Sequence, residues 1–354
     1  MATTTLEPDT RGSLQGGGRS RPIGRSAQGL LAAVSLAVGA SLVAVQGGGA
    51  LGLATFAALA YCVLVTAASA VLEGRRRAVD RFAGTLIAGS FLIALLPLFS
   101  VLFLVIQKGL ARFDLYFLTH SMAGVGPRDA TGGVYHAIIG TLEQVALATV
   151  MAVPLGLLAA VYVVEYGRGR LASLIRFFTD VMTGVPSIVA GLFLYAFWVL
   201  ALGQGFSGFA AALSLAILML PTVVRATEEM LKLVPDALRE AALALGVPRW
   251  KTILRIVLPT AMAGIITGVM LAVARVAGET APILLTALNF DSINVNPFSG
   301  QQGTLPTFIF SQAGNSLQVS IDRAWAGALT LVLLVMSLNL VARVIASRSR
   351  VVSR

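Results

Sequence analysis

The chain has 354 residues, of which 57% are hydrophobic and only 12% are charged. Because soluble domains carry about 25% charged residues, this composition excludes an ordinary soluble protein and indicates one built for a membrane. The formal net charge is +10, but the basic residues lie in short loops between apolar runs, which is typical of membrane proteins and argues against nucleic-acid binding.

Long apolar runs predict an all-α fold, a polytopic membrane protein with about eight transmembrane helices. A helix needs about 20 apolar residues to cross the hydrocarbon core of a lipid bilayer. No charged residue occurs from Ala27 to Leu72 or from Phe82 to Gln107. The predicted spans, in chain order, are 29–46, 50–72, 82–107, 135–164, 177–202, 209–226, 259–288 and 324–346.

The distribution of lysine and arginine predicts the orientation of these spans. Most of these residues fall in the two tails and in every second loop, which the positive-inside rule places in the cytoplasm. Both termini are therefore predicted to be cytoplasmic. The opposite, outer side has two sizeable loops, 108–134 and 289–323, which we expect to be irregular. They form either a surface for an external partner or simple solvated connections.

Changes in composition divide the chain into consecutive segments. The first, rich in glycine and arginine, predicts a disordered cytoplasmic tail, and the first two spans lie apart from the others. The segments are a tail at 1–26, an N-terminal transmembrane hairpin at 27–81, a main transmembrane domain at 82–346 with a long inside loop at 227–258, and a cytoplasmic tail at 347–354.

The long inside loop predicts a short amphipathic helix, a turn and a second helix. Pro235 suits a first helical turn, and Gly246 followed by Pro248 suits a helix end. Between them, apolar residues recur at helical spacing, namely Ala237, Leu238, Ala241, Ala242 and Leu245. Such a stripe fits either a groove on a partner or lipid headgroups.

The residues of this loop resemble the EAA loop of ABC importer permeases. Glu240-Ala241-Ala242 is followed at matching distances by Gly246 and by Ile256, Leu258 and Pro259. In that family the first helix of the loop sits in a groove on an ATPase subunit. The resemblance therefore implies ATPase-docking residues, which are Ala237, Leu238, Glu240, Ala241, Ala242, Leu245 and Gly246.

A narrower resemblance extends over most of the chain after about residue 82. The segments 164–168, 184–189, 225–231 and 274–282 are similar to PstA-type permeases of the high-affinity phosphate importer. This implies a six-helix permease in a bacterial cytoplasmic membrane, to which the extra pair at 29–72 is an addition. It also implies partners: a second related permease, two ATP-binding cassette subunits and an extracytoplasmic phosphate-binding protein.

Transport of phosphate requires positive charge along the pathway, and the same resemblance implies Arg225 and Arg275 as pathway residues. Glu279 is predicted to belong to the pathway as the carboxylate that holds Arg275 in place. Arg275 falls inside the predicted span 259–288, where an arginine is costly unless it faces a cavity or a partner. Arg275 and Glu279 are four residues apart and so share a helix face, which also allows a purely structural ion pair. Arg225 could alternatively extend to the lipid headgroups. We interpret Glu143 as a buried polar contact.

The sequence lacks the features of an ATP site or a catalytic centre. None of its three lysines, Lys108, Lys232 and Lys251, follows a glycine as a phosphate-binding P-loop requires. We therefore expect no enzyme activity, no bound cofactor and no metal, with ATP used by partner subunits. Two alternatives to a phosphate permease stay open: a permease for another oxyanion or small solute, and a membrane sensor or scaffold for phosphate supply.

Overall fold

Helices make up the framework of the computed structural model, which describes residues 23–46, 49–167 and 169–351. Within those residues the β-type pairing is an isolated bridge between Ser207 and Gly300. The all-α prediction is therefore confirmed. The predicted tail before residue 23, the turn at 47–48 and residues 352–354 lie outside the described residues. The helices are α1 (Arg25–Gln46), α2 (Gly49–Leu72), α3 (Arg75–Gly109), α4 (Leu115–Thr119), α5 (Tyr135–Val161), α6 (Arg170–Thr183), α7 (Ser187–Leu194), α8 (Gly208–Lys232), α9 (Asp236–Ala244), α10 (Arg249–Thr252), α11 (Leu258–Ala277), α12 (Ala281–Thr286), α13 (Leu305–Ala313) and α14 (Gln318–Val351).

Seven described helices are long and apolar enough to cross a membrane, and a bent pair of shorter helices brings the number to eight. This agrees with the prediction of about eight spans. Three π-helical stretches adjoin these helices: Tyr162–Tyr166 follows α5, Tyr195–Ala201 follows α7 and Ile253–Val257 precedes α11.

The predicted spans 177–202 and 259–288 are both interrupted helices. In the first, α6 and α7 meet at an angle of 105°, because Pro186 has no N–H to donate and restricts the residue before it. In the second, α11 ends at Ala277 and α12 begins at Ala281. The predicted outer loop 289–323 is also more ordered than expected, since it contains α13 and the first turns of α14.

The contacts divide the chain into two compact units, one up to Val101 and one from Leu102 onward. In the first unit, α1 and α2 approach closely at small residues: a Cβ added to Gly39 would lie 2.8 Å from the backbone nitrogen of Ala57. Small residues allow this kind of close approach between membrane helices.

Glu73, in the turn between α2 and α3, ties the first unit together. Its carboxylate accepts hydrogen bonds from the Ile23 N–H at 2.6 Å, from Ser69 Oγ at 2.6 Å, and from Arg81 at 2.7 and 2.8 Å. The Glu73 side chain is 1% exposed. The bonds from Arg81, Ser69 and Ile23 lower the pKa of Glu73 to about 2, because each of them favours the charged carboxylate.

This pKa predicts an acid-sensitive contribution of Glu73 to stability. The pKa is depressed in the folded chain, so the contribution is complete above the ordinary value of 4.5 and is lost as the pH falls toward 2. We expect the wild type to melt at a higher temperature than Glu73→Gln above pH 5. The difference should shrink as the pH falls below 4.5. A difference that does not vary with pH would show that the charge of Glu73 is not responsible.

In the second unit, α5, α8 and α11 pack against one another around a buried apolar core. Glycines permit backbone-to-side-chain contact at the crossings: Gly156 of α5 lies against Val223 of α8, and Gly268 of α11 lies against Ala226 of α8. Since Gly264 likewise lies against Met230, α8 and α11 run antiparallel. This arrangement fixes where the residues of the candidate site stand relative to one another.

Candidate functional site

The helix predicted in the long inside loop is α9, and its ends form as the sequence indicates. Pro235 is its N-cap and Asp236 occupies the first turn, where a negative charge is favourable. At the other end Gly246 adopts a φ of +75°, with its N–H donating to Leu243 O at 2.9 Å and the Val247 N–H donating to Ala242 O at 3.1 Å. This pair of bonds is a Schellman motif, which needs a residue that tolerates a left-handed conformation. The predicted glycine stop is confirmed.

One face of α9 carries most of the residues predicted to dock an ATPase. Leu238 and Leu245 are 42% and 83% exposed, and Ala237, Glu240 and Ala241 are exposed beside them. We call these five residues the docking surface. Trp250 on α10 is 59% exposed as well. It was not among the predicted docking residues, although tryptophan is enriched at protein interfaces.

Ala242 differs from the other predicted docking residues. Its side chain is 4% exposed, because it lies on the side of α9 that packs against this chain. The apolar stripe read from the sequence thus combines two faces: Ala242 faces inward, while the docking surface faces outward. Ala242 therefore supports the helix and does not belong to its contact surface.

Arg225 lies on α8 within a cluster of charges. Its guanidinium forms ion pairs with Asp180 of α6 and, at 3.5 Å, with Glu228 one turn further along α8. Glu228 is almost fully buried and is also approached by Lys232 at 2.8 Å and by Arg176 at 3.9 Å. A spacing of three residues places Glu228 on the same helix face as Arg225. Asp180 could not be predicted as a partner, because 45 residues of chain separate it from Arg225 and no local pattern relates them.

Arg275 lies in the last turn of α11, next to the helix break, and its side chain is exposed. Among the described residues no carboxylate lies within 4.0 Å of its guanidinium. The expected pairing with Glu279 is not formed, because α11 ends at Ala277 and the two residues no longer share a continuous helix face. In the described part of the chain, Arg275 is therefore a cation without a counter-charge, beside a break in the backbone.

The positions of Arg225 and Arg275 can be related through the antiparallel pair α8 and α11. Because Ala226 contacts Gly268, Arg225 lies at the same height along the helix pair as residue 269. An α-helix rises 1.5 Å per residue, so Arg275 lies about 9 Å further along the axis of α11, away from α9. Glu279 lies within the break itself, between α11 and α12. The three predicted pathway residues are thus spread along the helix pair and do not form one cluster.

Glu143 forms part of a buried polar network, as its interpretation as a polar contact anticipated. Its Oε2 accepts from Gln302 Nε2 at 2.5 Å, and Gln302, itself 1% exposed, also donates to Asn294 O at 2.9 Å. Gln144 Nε2 donates to Gln302 Oε1 at 3.0 Å. These bonds hold the segment after α12 against α5. Among the described residues no three His, Cys, Asp or Glu side chains come together as a metal site.

The family model and the related proteins that match this chain agree with one another. Residues 152–351 match the family model described as "Binding-protein-dependent transport system inner membrane component". The chain is 50% identical over 280 residues to the phosphate transport system permease protein PstA 1 of Mycobacterium tuberculosis (strain ATCC 25618 / H37Rv), covering 78% of this chain and 91% of that one. It is 42% identical over 276 residues to the phosphate transport system permease protein PstA of Yersinia pestis, covering 78% and 92%. The overlap with a solved inward-facing structure of the MetNI methionine ABC transporter is looser, with a TM-score of 0.49, 20% identity and coverage of 61% and 94%.

Proposed function

Because the chain belongs to the family of binding-protein-dependent transport system inner membrane components, and within it to the PstA-type phosphate permeases, we propose that it lines the pathway of an ATP-driven importer of inorganic phosphate. It is a multi-pass inner-membrane protein and a transport subunit, not an enzyme. ATP is used by separate subunits. We infer that both termini are cytoplasmic and that 82–346, with its coupling loop at 227–258, is the importer domain to which the hairpin at 27–81 is added.

The observation that carries the proposal is the docking surface. An amphipathic helix normally buries its apolar side, yet α9 leaves Leu238 and Leu245 exposed beside Glu240. A short exposed ridge of this kind fits a groove on another protein, and in a chain of this family that protein is an ATP-binding cassette subunit. The complete transporter would contain two such subunits, a second related permease and an extracytoplasmic phosphate-binding protein.

The charge distribution supports phosphate as the cargo. Arg275 has no counter-charge among the described residues, and an arginine can donate two parallel bonds to a phosphate. Arg225 is neutralised by Asp180 and Glu228, so an anion would have to compete with carboxylates there. We assign Arg275 as the main phosphate contact, Arg225 as a contact nearer the docking surface, and Glu279 as a residue of the outer end of the same route.

Uptake measurements test the cargo assignment. In a bacterial strain that lacks other phosphate importers, the chain, produced with its partner subunits, is expected to restore uptake of labelled phosphate and not of labelled sulfate. An otherwise identical strain without this chain serves as the control. Sulfate uptake equal to phosphate uptake would replace the proposal with a general oxyanion permease, and no uptake of either would favour a sensor or scaffold.

A further inference from the structure

Arg239 lies on the side of α9 opposite the docking surface and is hydrogen-bonded to four other residues. Its guanidinium donates to Leu231 O at 2.9 Å, to Val234 O at 2.6 Å and to Asp236 Oδ1 at 3.0 Å. The remaining bonds, at 2.9 and 3.1 Å, go to Glu165 Oε1. A guanidinium has five N–H donors, and each can be used here. α9 therefore cannot tilt without breaking several bonds of one side chain.

Glu165 belongs to the π-helical stretch that continues α5. Its side chain is 5% exposed, and Arg239 is the cation that pairs with it among the described residues. The next residue, Tyr166, lies with its ring 5.3 Å from the guanidinium of Arg249 on α10. The helices α9 and α10 thus both contact the C-terminal end of α5, through the neighbouring residues Glu165 and Tyr166.

The π-helical stretch at this end of α5 is held by side chains from neighbouring helices. A π-helical turn contains about one residue more than an α-helical turn, and such turns are frequent at functional sites. At the same end, the Arg176 side chain donates to Val163 O at 3.3 Å. The backbone at Tyr162–Tyr166 is therefore held by charged side chains of neighbouring helices and not only by its own hydrogen bonds.

We propose that the Arg239–Glu165 ion pair passes movement of α9 to α5, so that ATP hydrolysis by a docked partner drives transport. The inference rests on the proposed function and deepens it. Arg239 and Glu165 are positioning residues: they contact neither phosphate nor ATP. Because Glu165 is 5% exposed and Arg239 only 17% exposed, the pair is largely shielded from water and connects the two segments firmly. Removing one partner alone would leave a largely buried charge without compensation.

The charge cluster at Glu228 is less suited to this role. Glu228 is approached by Arg176, Arg225 and Lys232, so the loss of one cation leaves two others. The Arg225 and Lys232 side chains are 42% and 58% exposed, and exposed ion pairs contribute little because water screens them. Glu165 has a single cationic partner in the described part of the chain, and that partner is carried by α9 itself.

The test uses the complete transporter, reconstituted in vesicles with its ATPase subunits and binding protein. The informative variant combines Glu165→Gln with Arg239→Gln, because it removes both charges and leaves none buried alone. We expect complex yield and ATP hydrolysis to stay near wild type. Phosphate uptake per ATP should fall by about tenfold, within the range of 5- to 150-fold typical of coupling between sites.

Arg170→Gln, which removes an exposed arginine at the start of α6, should leave the ratio of phosphate uptake to ATP hydrolysis unchanged. If the double variant keeps the wild-type ratio, the pair is only structural and the proposal fails.

A distance measurement tests whether the Arg239–Glu165 ion pair fixes α9 to α5, independently of which solute is transported. With Cys62 replaced by serine, spin labels on exposed Ala244 of α9 and Leu158 of α5 report whether the two helices move together. In the otherwise unchanged complex the distance should be the same with and without ATP. In the double variant it should change when ATP is added. Equal changes in both proteins would overturn the proposal, whereas absent phosphate uptake in the unchanged complex would count against the phosphate assignment alone.

Discussion

Replacing Arg275 with alanine is expected to lower phosphate uptake by about 10- to 100-fold while leaving the protein folded. A hydrogen bond to a charged group contributes about 1.5–3 kcal/mol, and about 1.4 kcal/mol corresponds to a factor of ten in rate. The fold should tolerate the change, because the Arg275 side chain is exposed and has no ion pair among the described residues. Uptake of labelled phosphate, normalised to the amount of complex in the membrane, measures the effect.

Arg343 supplies a matched control for Arg275. It is also an exposed arginine, on the last helix, and it is not among the predicted pathway residues. Arg343→Ala should keep uptake near the wild-type level. Arg275→Lys should retain part of the activity, because lysine keeps the charge but not the planar pair of donors. Wild-type uptake by Arg275→Ala would remove Arg275 from the pathway.

Replacing Gly246 with valine is expected to separate this chain from its ATPase partner. The φ of +75° at Gly246 is left-handed, and such a conformation costs a residue with a Cβ about 1–2 kcal/mol, more for a branched one. A Cβ at this position would have no atom of the described residues within 4 Å, so the cost comes from the backbone conformation. Co-purification of the ATPase with this chain, and phosphate uptake, should both fall by about 5- to 30-fold, the factor for 1–2 kcal/mol.

Two further substitutions isolate the cause. Gly246→Asn should bind the ATPase better than Gly246→Val, since asparagine tolerates the left-handed region. Gly205 has a φ of +73° and equally open surroundings, in the loop before α8. Gly205→Val thus imposes a similar strain away from the docking surface, and it should leave ATPase binding intact. Equal binding by wild type and Gly246→Val would refute the role of this turn.

Local patterns in the sequence predicted the helices and the ends of α9 correctly. The apolar runs, the position of Gly246 and the caps of α9 each depend on residues within a few positions of one another. The breaks after Thr183 and Ala277 lie within a few residues of Pro186 and Pro282, and a proline in a predicted span is a known cause of kinks.

The contacts that arrange the candidate site could not be read from local patterns. Arg239 meets Glu165 across 74 residues and Gln302 meets Glu143 across 159. Such pairs depend on how helices pack, and a single sequence carries no signal for them. The inward position of Ala242 was missed for a related reason: apolar spacing shows that a helix has an apolar side, but not which of its apolar residues face the protein's own core.

The glycine contacts between α5, α8 and α11 have a mechanical consequence for the second unit. Where Gly156 lies against Val223 and Gly268 against Ala226, no side-chain layer is left to deform, and close-packed interiors resist sliding. These three helices should therefore turn as one body. Any rearrangement should then be concentrated in the two segments that interrupt helices, 184–186 and 278–280. The helices that follow these segments, α7 and α12, contact each other at Gly191 and Pro282. Hinges are commonly short segments at the ends of helices, so we expect α7 and α12 to move together.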